Sequence, residues 1–255
     1  MEYSRILSTQ QHPSFSHVYI DAFAGTGYHL SKTTGEMVLG SPLNALQVSP
    51  PFREYHLIDL DGDKIAGLRE LLGDRPDVHL HHGDCNTVLL KDVFPRVRFE
   101  DYRRGLCILD PYGLHLNWEV VQTAGMLKSL DVFINFPVYD ININVLHHRA
   151  DTASPFHVAR LNAFWGDGSW KQFAYEKSSP DLFGNIDLEK VSNNKFAQAF
   201  RQRLVKVAGF KRVPEPLPMR NSKGSIVYYL FFASQKDTAE NIVTYIFDEF
   251  GRQNV

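Results

Sequence analysis

Cysteine is nearly absent from this chain. Cys85 and Cys107 are the only two among 255 residues, and they do not form a CxxC pair. A disulfide framework, or a zinc module built on cysteines, is therefore not expected. The compartment this implies is a reducing one, and the expected location is cytoplasmic. Long apolar runs are missing too. None approaches the roughly 18 residues of a membrane span. The longest, Ile226 to Ala233, is strand-length and carries two tyrosines. The first 16 residues are polar and lack the apolar core of a secretory leader. No membrane partner is expected. Nor is there an excess of one charge: 27 basic against 29 acidic residues gave a net charge of −2. That rules out a globally basic nucleic-acid binder but leaves room for a local basic face. Lys195 to Gly224 is such a stretch, with eight Lys and Arg against the single acid Glu215.

What is present is a regular alternation. Strand-like pieces run at His17–Phe23, Glu54–Asp59, Val78–Gly83, Gly105–Asp110 and Asp131–Phe136. Helical spacing appears at Lys64–Leu72, Thr87–Phe94 and Trp118–Leu127. Such alternation means βαβ units and a mostly parallel sheet, wound on both faces by right-handed crossovers. Asn193–Ala208 reads as an amphipathic helix, Val227–Ala233 as a last strand, and Thr238–Phe250 as a closing helix. The expected class is α/β: a doubly wound, seven-stranded sheet with one antiparallel strand. Residues 139–188 break the pattern, with Trp165, Trp170 and a turn at Gly166–Ser169. About 50 residues bury little core alone, so we expect an insertion after strand five within a single domain, 1–255.

Chemistry-bearing residues recur where the parallel strands end. Strand one runs into Asp21-Ala22-Phe23-Ala24-Gly25-Thr26-Gly27. Glycines there let backbone approach a ligand where a Cβ would clash; the alternative is a plain tight turn. A dinucleotide fingerprint would need a third glycine at position 30, which is Leu30. Asp59 ends strand two, where a carboxylate can hold a ribose diol. Asp61 competes for that role, or either acid could be a solvated turn residue. After strand three, Asp84 and the backbone N–H of Cys85 suit an adenine edge, and Asp84 equally suits a helix cap. After strand four come Asp110-Pro111-Tyr112-Gly113. An acid, a rigid proline and an aromatic make a receptor for a planar amine, or a simple β-turn. His79 and His81 share a strand face as a conceivable metal pair. No third ligand stands in a motif, so no metal site is expected.

The order of these four strand ends resembles the class I methyltransferases that use S-adenosylmethionine, over about Tyr19 to Pro137. The resemblance implies that Asp21, Phe23, Gly25 and Gly27 hold the methionine part of the cofactor. Asp59 would take the ribose, and Asp84 with Cys85 the adenine. Asp110, Pro111 and Tyr112 would face the methyl acceptor. Tyr19–Gly27, Gly40-Ser41-Pro42-Leu43-Asn44-Ala45 and Asp110–Gly113 look like the three-Cys-motif partner family, TcmP. That family is named for a separate three-cysteine protein, which becomes the implied partner. Gly-Ser-Pro-Leu also resembles an adenine-N6 methyltransferase of ribosomal RNA, where it opens a helix; Ser41 suits its cap and Pro42 its first turn. Adenine-N6 enzymes usually carry D/N-P-P-Y/F/W, whereas the aromatic here stands one place early.

The leading expectation is thus a methyltransferase acting on a nucleic-acid base amine. The alternative is a cofactor-binding or non-catalytic adaptor working with the three-cysteine protein, which the displaced aromatic favours. Arg203, Lys206, Lys211 and Arg212 are the candidate nucleic-acid contacts, or else a solvated basic face. The connection from Tyr28 to Leu39 exceeds the usual βα loop of roughly 2–6 residues. It reads as a lid, or as a surface hairpin turning at Gly35.

Overall fold

The computed structural model describes residues 15–30, 35–147, 153–177 and 188–253. Seven strands form the main sheet: β1 (Ser16–Asp21), β2 (Glu54–Asp59), β3 (Val78–His82), β4 (Arg103–Leu109), β5 (Leu130–Phe136), β6 (Leu217–Arg220) and β7 (Ile226–Ala233). Their order is β3-β2-β1-β4-β5-β7-β6. The first five are parallel. β7 runs antiparallel to both β5 and β6, as the sequence led us to expect. β1 and β2 are buried along nearly their whole length, which is why they read as apolar runs without alternation.

The principal helices are α1 (Ser41–Leu46), α2 (Gly62–Leu72), α3 (Cys85–Val88), α4 (Trp118–Leu127), α5 (Val138–Asn144), α6 (Pro155–Trp165), α7 (Asn193–Lys206) and α8 (Asp237–Gln253). α2 begins where the Asp61 carboxylate caps the N–H of Asp63, and stops at Gly73, whose φ of 63° ends the α ladder. The helix expected at 87–94 starts earlier and is not uniform. α3 widens into a π turn at Leu89–Val93, then tightens to a 3-10 turn at Phe94–Arg96. Pro95 has no N–H with which to continue an α ladder.

α1 also departs from expectation. Its N-cap is Gly40, not Ser41, and no side chain caps it. The Ser41 hydroxyl instead hydrogen-bonds the buried Asp21 carboxylate, a stronger attraction than an exposed helix end. The long βα connection forms an antiparallel hairpin, Tyr28–Leu30 with Met37–Leu39. Gly35 has the positive φ, 71°, of a turn; residues 31–34 lie outside the described residues.

Residues 153–177 supply core to the sheet. Leu161, Phe164, Trp165 and Trp170 join the same apolar cluster as Phe136, Phe196, Phe200 and Phe231. Trp165 stacks on Phe196 with centroids 5.2 Å apart, and Phe136 lies 4.6 Å from Phe200. Residues 148–152 and 178–187 of the expected insertion lie outside the described residues. Chain order reverses beside β1, with β2 on one side and β4 on the other. In an open α/β sheet that reversal leaves a crevice at the carboxyl ends of the strands.

Candidate functional site

A cavity of about 510 Å³ opens at that crevice, lined by residues from four strand ends. β1 leads into Ala22, Phe23 and Gly25; β2 ends at Asp59 and leads into Leu60 and Asp61, and the first turn of α2 adds Lys64. Asp84 and Cys85 follow β3, and Asp110, Tyr112 and His115 follow β4. The structure therefore brings together Phe23, Gly25, Asp59, Asp84, Cys85, Asp110 and Tyr112 from the sequence. Asp21, Gly27 and Pro111 are not in the lining.

Asp21 lies beneath the glycine turn. It is 1% exposed and accepts hydrogen bonds from the Tyr19 hydroxyl at 3.1 Å and the Phe23 N–H at 3.2 Å. Burial pushes its carboxyl up to about 6, aided by the nearby charge of Asp110 and opposed by its hydrogen bonds. Its work is to shape the loop. Gly27 does similar work: a Cβ there would meet Leu68 at 3.1 Å and Leu43 at 3.3 Å. Gly25 is different. Its φ is 64°, and a Cβ would find nothing within 4 Å. The space before it belongs to the cavity, not to packed protein.

Asp59 and Asp61 both line the cavity but differ in their partners. Asp59 is 8% exposed and accepts the Gly25 N–H at 2.9 Å, so β2 holds the glycine turn in place. It also accepts the Asp61 N–H at 2.9 Å and lies 3.5 Å from the Lys64 ammonium. A carboxylate offers about four acceptor positions, so capacity remains for a ligand. Asp61 is committed to capping α2. Between them Leu60 stands 71% exposed, an apolar wall beside the acid.

Asp84 is both cap and wall. Its side chain caps α3 and accepts from the Asn86 amide at 2.9 Å. Asn86 also donates to the His115 carbonyl at 3.1 Å and accepts the Asn117 N–H at 2.7 Å. This buried amide ties the β3 end to the β4 end, and no motif announced it. Burial, with the Asp84 charge, pushes the Cys85 thiol up to about 12. At neutral pH it is a protonated, unreactive group.

Asp110 is exposed at the end of β4, with one oxygen held by the Asn135 amide of β5. Burial raises the Tyr228 phenol, and the charge of Asp110 raises it further. Tyr112 is 87% exposed at the cavity mouth.

Four of the eight basic residues in the stretch are paired with acids within the chain. Lys195 pairs with Glu176 and Arg201 with Glu215. Arg203 donates to the Trp165 carbonyl at 2.6 Å and to Asp167 at 2.8 Å, and lies 4.7 Å over the Trp118 ring. Arg212 forms two bonds to Asp237, at 2.7 and 3.0 Å. Lys206 and Lys211 are exposed. Among the described residues no helix is long and apolar enough to cross a membrane.

No family model matches the chain, and no curated protein is significantly similar to it in sequence. Solved structures do resemble it. The protein LPL1258 of Legionella pneumophila, of family DUF519, superposes with a TM-score of 0.55 at 12% identity. The match covers 97% of this chain and 88% of that one. The methyltransferase domain of bacterial CtHen1 gives 0.43 at 10% identity, over 91% and 97% of the two chains. An S-adenosylmethionine-dependent methyltransferase from Mesorhizobium loti gives 0.39 at 10% identity, over 85% and 89%. The chain has a Rossmann-like α/β fold, shared along almost its full length with LPL1258.

Proposed function

We propose that this chain is an S-adenosylmethionine-dependent methyltransferase whose acceptor is a nucleic-acid base amine of the adenine-N6 type. The observation that carries the reading is the single cavity assembled from four consecutive strand ends, with Gly25, Asp59, Asp84 and Asp110 around it. Its 510 Å³ lies within the roughly 300–1,000 Å³ of small-ligand sites. The residues fit this cofactor. Gly25 leaves open the space a Cβ would fill, Asp59 retains acceptor capacity for a diol, and Leu60 offers an apolar wall to a purine face.

Bound S-adenosylmethionine would supply a methyl group made electrophilic by its sulfonium. The protein's part is alignment, and orientation can contribute on the order of 7–11 kcal/mol in favourable cases. Asp110 accepts an N–H of the acceptor amine and aims its lone pair, with Asn135 restraining rotation of the carboxylate. Tyr112 closes over the acceptor ring once a substrate draws it from solvent. The motifs shared with the TcmP family support a three-cysteine protein as partner.

One observation favours the adaptor reading instead: Tyr112, at the cavity mouth, is 87% exposed. Calorimetry separates the possibilities. We expect one equivalent of S-adenosylmethionine to bind and NAD not to bind; absence of the first overturns the cofactor assignment. Transfer of labelled methyl to RNA or DNA then distinguishes enzyme from adaptor. Lys206 and Lys211 are the exposed candidates for phosphate contact. Changing each to Gln should reduce the slope of log affinity against log salt by about 0.7–0.9. An unchanged slope moves the acceptor site elsewhere.

A further inference from the structure

Glu54 and His56 lie on one face of β2, two residues apart. The β2–β3 register sets His79 beside His56 and His81 beside Ile58. Three imidazoles and a carboxylate, scattered in sequence, thus share one patch of sheet. None of them lines the candidate cofactor cavity.

We propose that Glu54, His56 and His79 form a binding site for a divalent transition metal of the zinc class, with His81 orienting His56 from outside. One potential ligand atom from each of the three lies within 4.8 Å of the others. His56 is fully buried, yet its Nε2 makes no hydrogen bond. A buried polar atom left so is costly, and each one calls for a partner. The other ring nitrogen is engaged: His56 Nδ1 lies 3.0 Å from His81 Nε2. With Nδ1 as the donor of that bond, the Nε2 lone pair is free, and Glu54 Oε2 stands 3.6 Å from it. Metal-bound histidines characteristically give their second N–H to such an outer partner.

The surroundings are mixed in charge. Arg103 holds the Glu54 carboxylate, Arg96 acts on both His56 and His81, and Asp92 acts on His81. Two nitrogens and one carboxylate select zinc-like ions over magnesium or calcium, which take all-oxygen sets. Tetrahedral zinc bonds of roughly 2.0–2.1 Å place ligand atoms about 3.4 Å apart. Half-buried His79 closes the difference by turning out of its stack on His56, now 4.9 Å between centroids at 23°.

The test uses the untagged full chain, stripped of metal with a chelator. Co²⁺ is followed by its visible spectrum, and Zn²⁺ by competition with a chromophoric chelator. We expect one tight equivalent per chain. His79→Ala should weaken it at least about 100-fold, and His81→Gln about 10–100-fold, the range for an outer partner. Glu54→Gln is the second ligand variant should His79→Ala unfold, and the expected loss is the same. No stoichiometric uptake overturns the proposal. Weak uptake that survives loss of a ligand overturns it equally, because it belongs to other histidines.

Discussion

The two sides of the crevice are built differently. On the β1–β2 side, each acid is tied into the backbone: Asp21 holds the Phe23 N–H, and Asp59 holds the Gly25 and Asp61 N–H groups. On the β4–β5 side, Asp110 and Tyr112 stand exposed, with the Asn135 amide reaching the carboxylate. One side is held in place by the chain itself; on the proposed reading, the other is left for an acceptor to complete. Preorganisation is valuable where the same molecule binds in every cycle, since ordering a loop at that moment would cost affinity.

The largest effect should come from breaking the finished side by titration. The Asp21 carboxyl ionises near 6 in the folded chain, against an ordinary 3.8. The folded state therefore holds this proton more firmly than the unfolded state does. Its contribution to stability is full below about pH 4 and is lost as pH rises through 6. That difference corresponds to on the order of 3 kcal/mol. Asp21→Asn should flatten that part of the stability–pH curve, measured by urea melts from pH 4 to 7. An unchanged slope would mean the carboxyl is not the titrating group.

Next in size is the loss of ligand stabilisation. S-adenosylhomocysteine at 100 times its dissociation constant should add about 2.7 kcal/mol to the folded chain. Gly25→Val should abolish that increment by filling the open space and straining a φ of 64°. A melting shift retained in the variant would sink the assignment of this turn.

The smallest effects should come from the open side. Tyr112→Ala should change stability by no more than about 0.5 kcal/mol, as surface substitutions do. Asp110→Ala should leave S-adenosylhomocysteine binding nearly intact while removing methyl transfer. Equal losses of binding and transfer in Asp110→Ala would erase the distinction between the two sides.

Much of this was legible because it is local. A carboxylate at a strand's end, or a glycine after it, is written in adjacent letters, so Asp59, Asp84, Asp110 and Gly25 could be read directly. Contacts across strands are not written that way. Asn86 and Asn135 tie strand ends together through partners 25 or more residues away. The same holds for Glu54, His56 and His79: the sequence showed a histidine pair lacking a third ligand, and strand register supplied the rest. Basic charge misled for a related reason. Arg203 looked available beside Lys206, but its partner Asp167 lies 36 residues earlier. Ser41, a natural helix cap by composition, was drawn instead to a buried acid.

The hairpin at 28–39 leaves and rejoins the body through two glycines in direct contact, the Gly40 N–H bonding the Gly27 carbonyl at 2.7 Å. A Cβ on Gly40 would sit 3.0 Å from that same oxygen. The clasp isolates what lies beyond it from what lies beneath. Leu30 and Met37, each more than 60% exposed, can be exchanged without disturbing the turn at Gly25. The arm is therefore a place where length and composition can change while the glycine turn stays as it is.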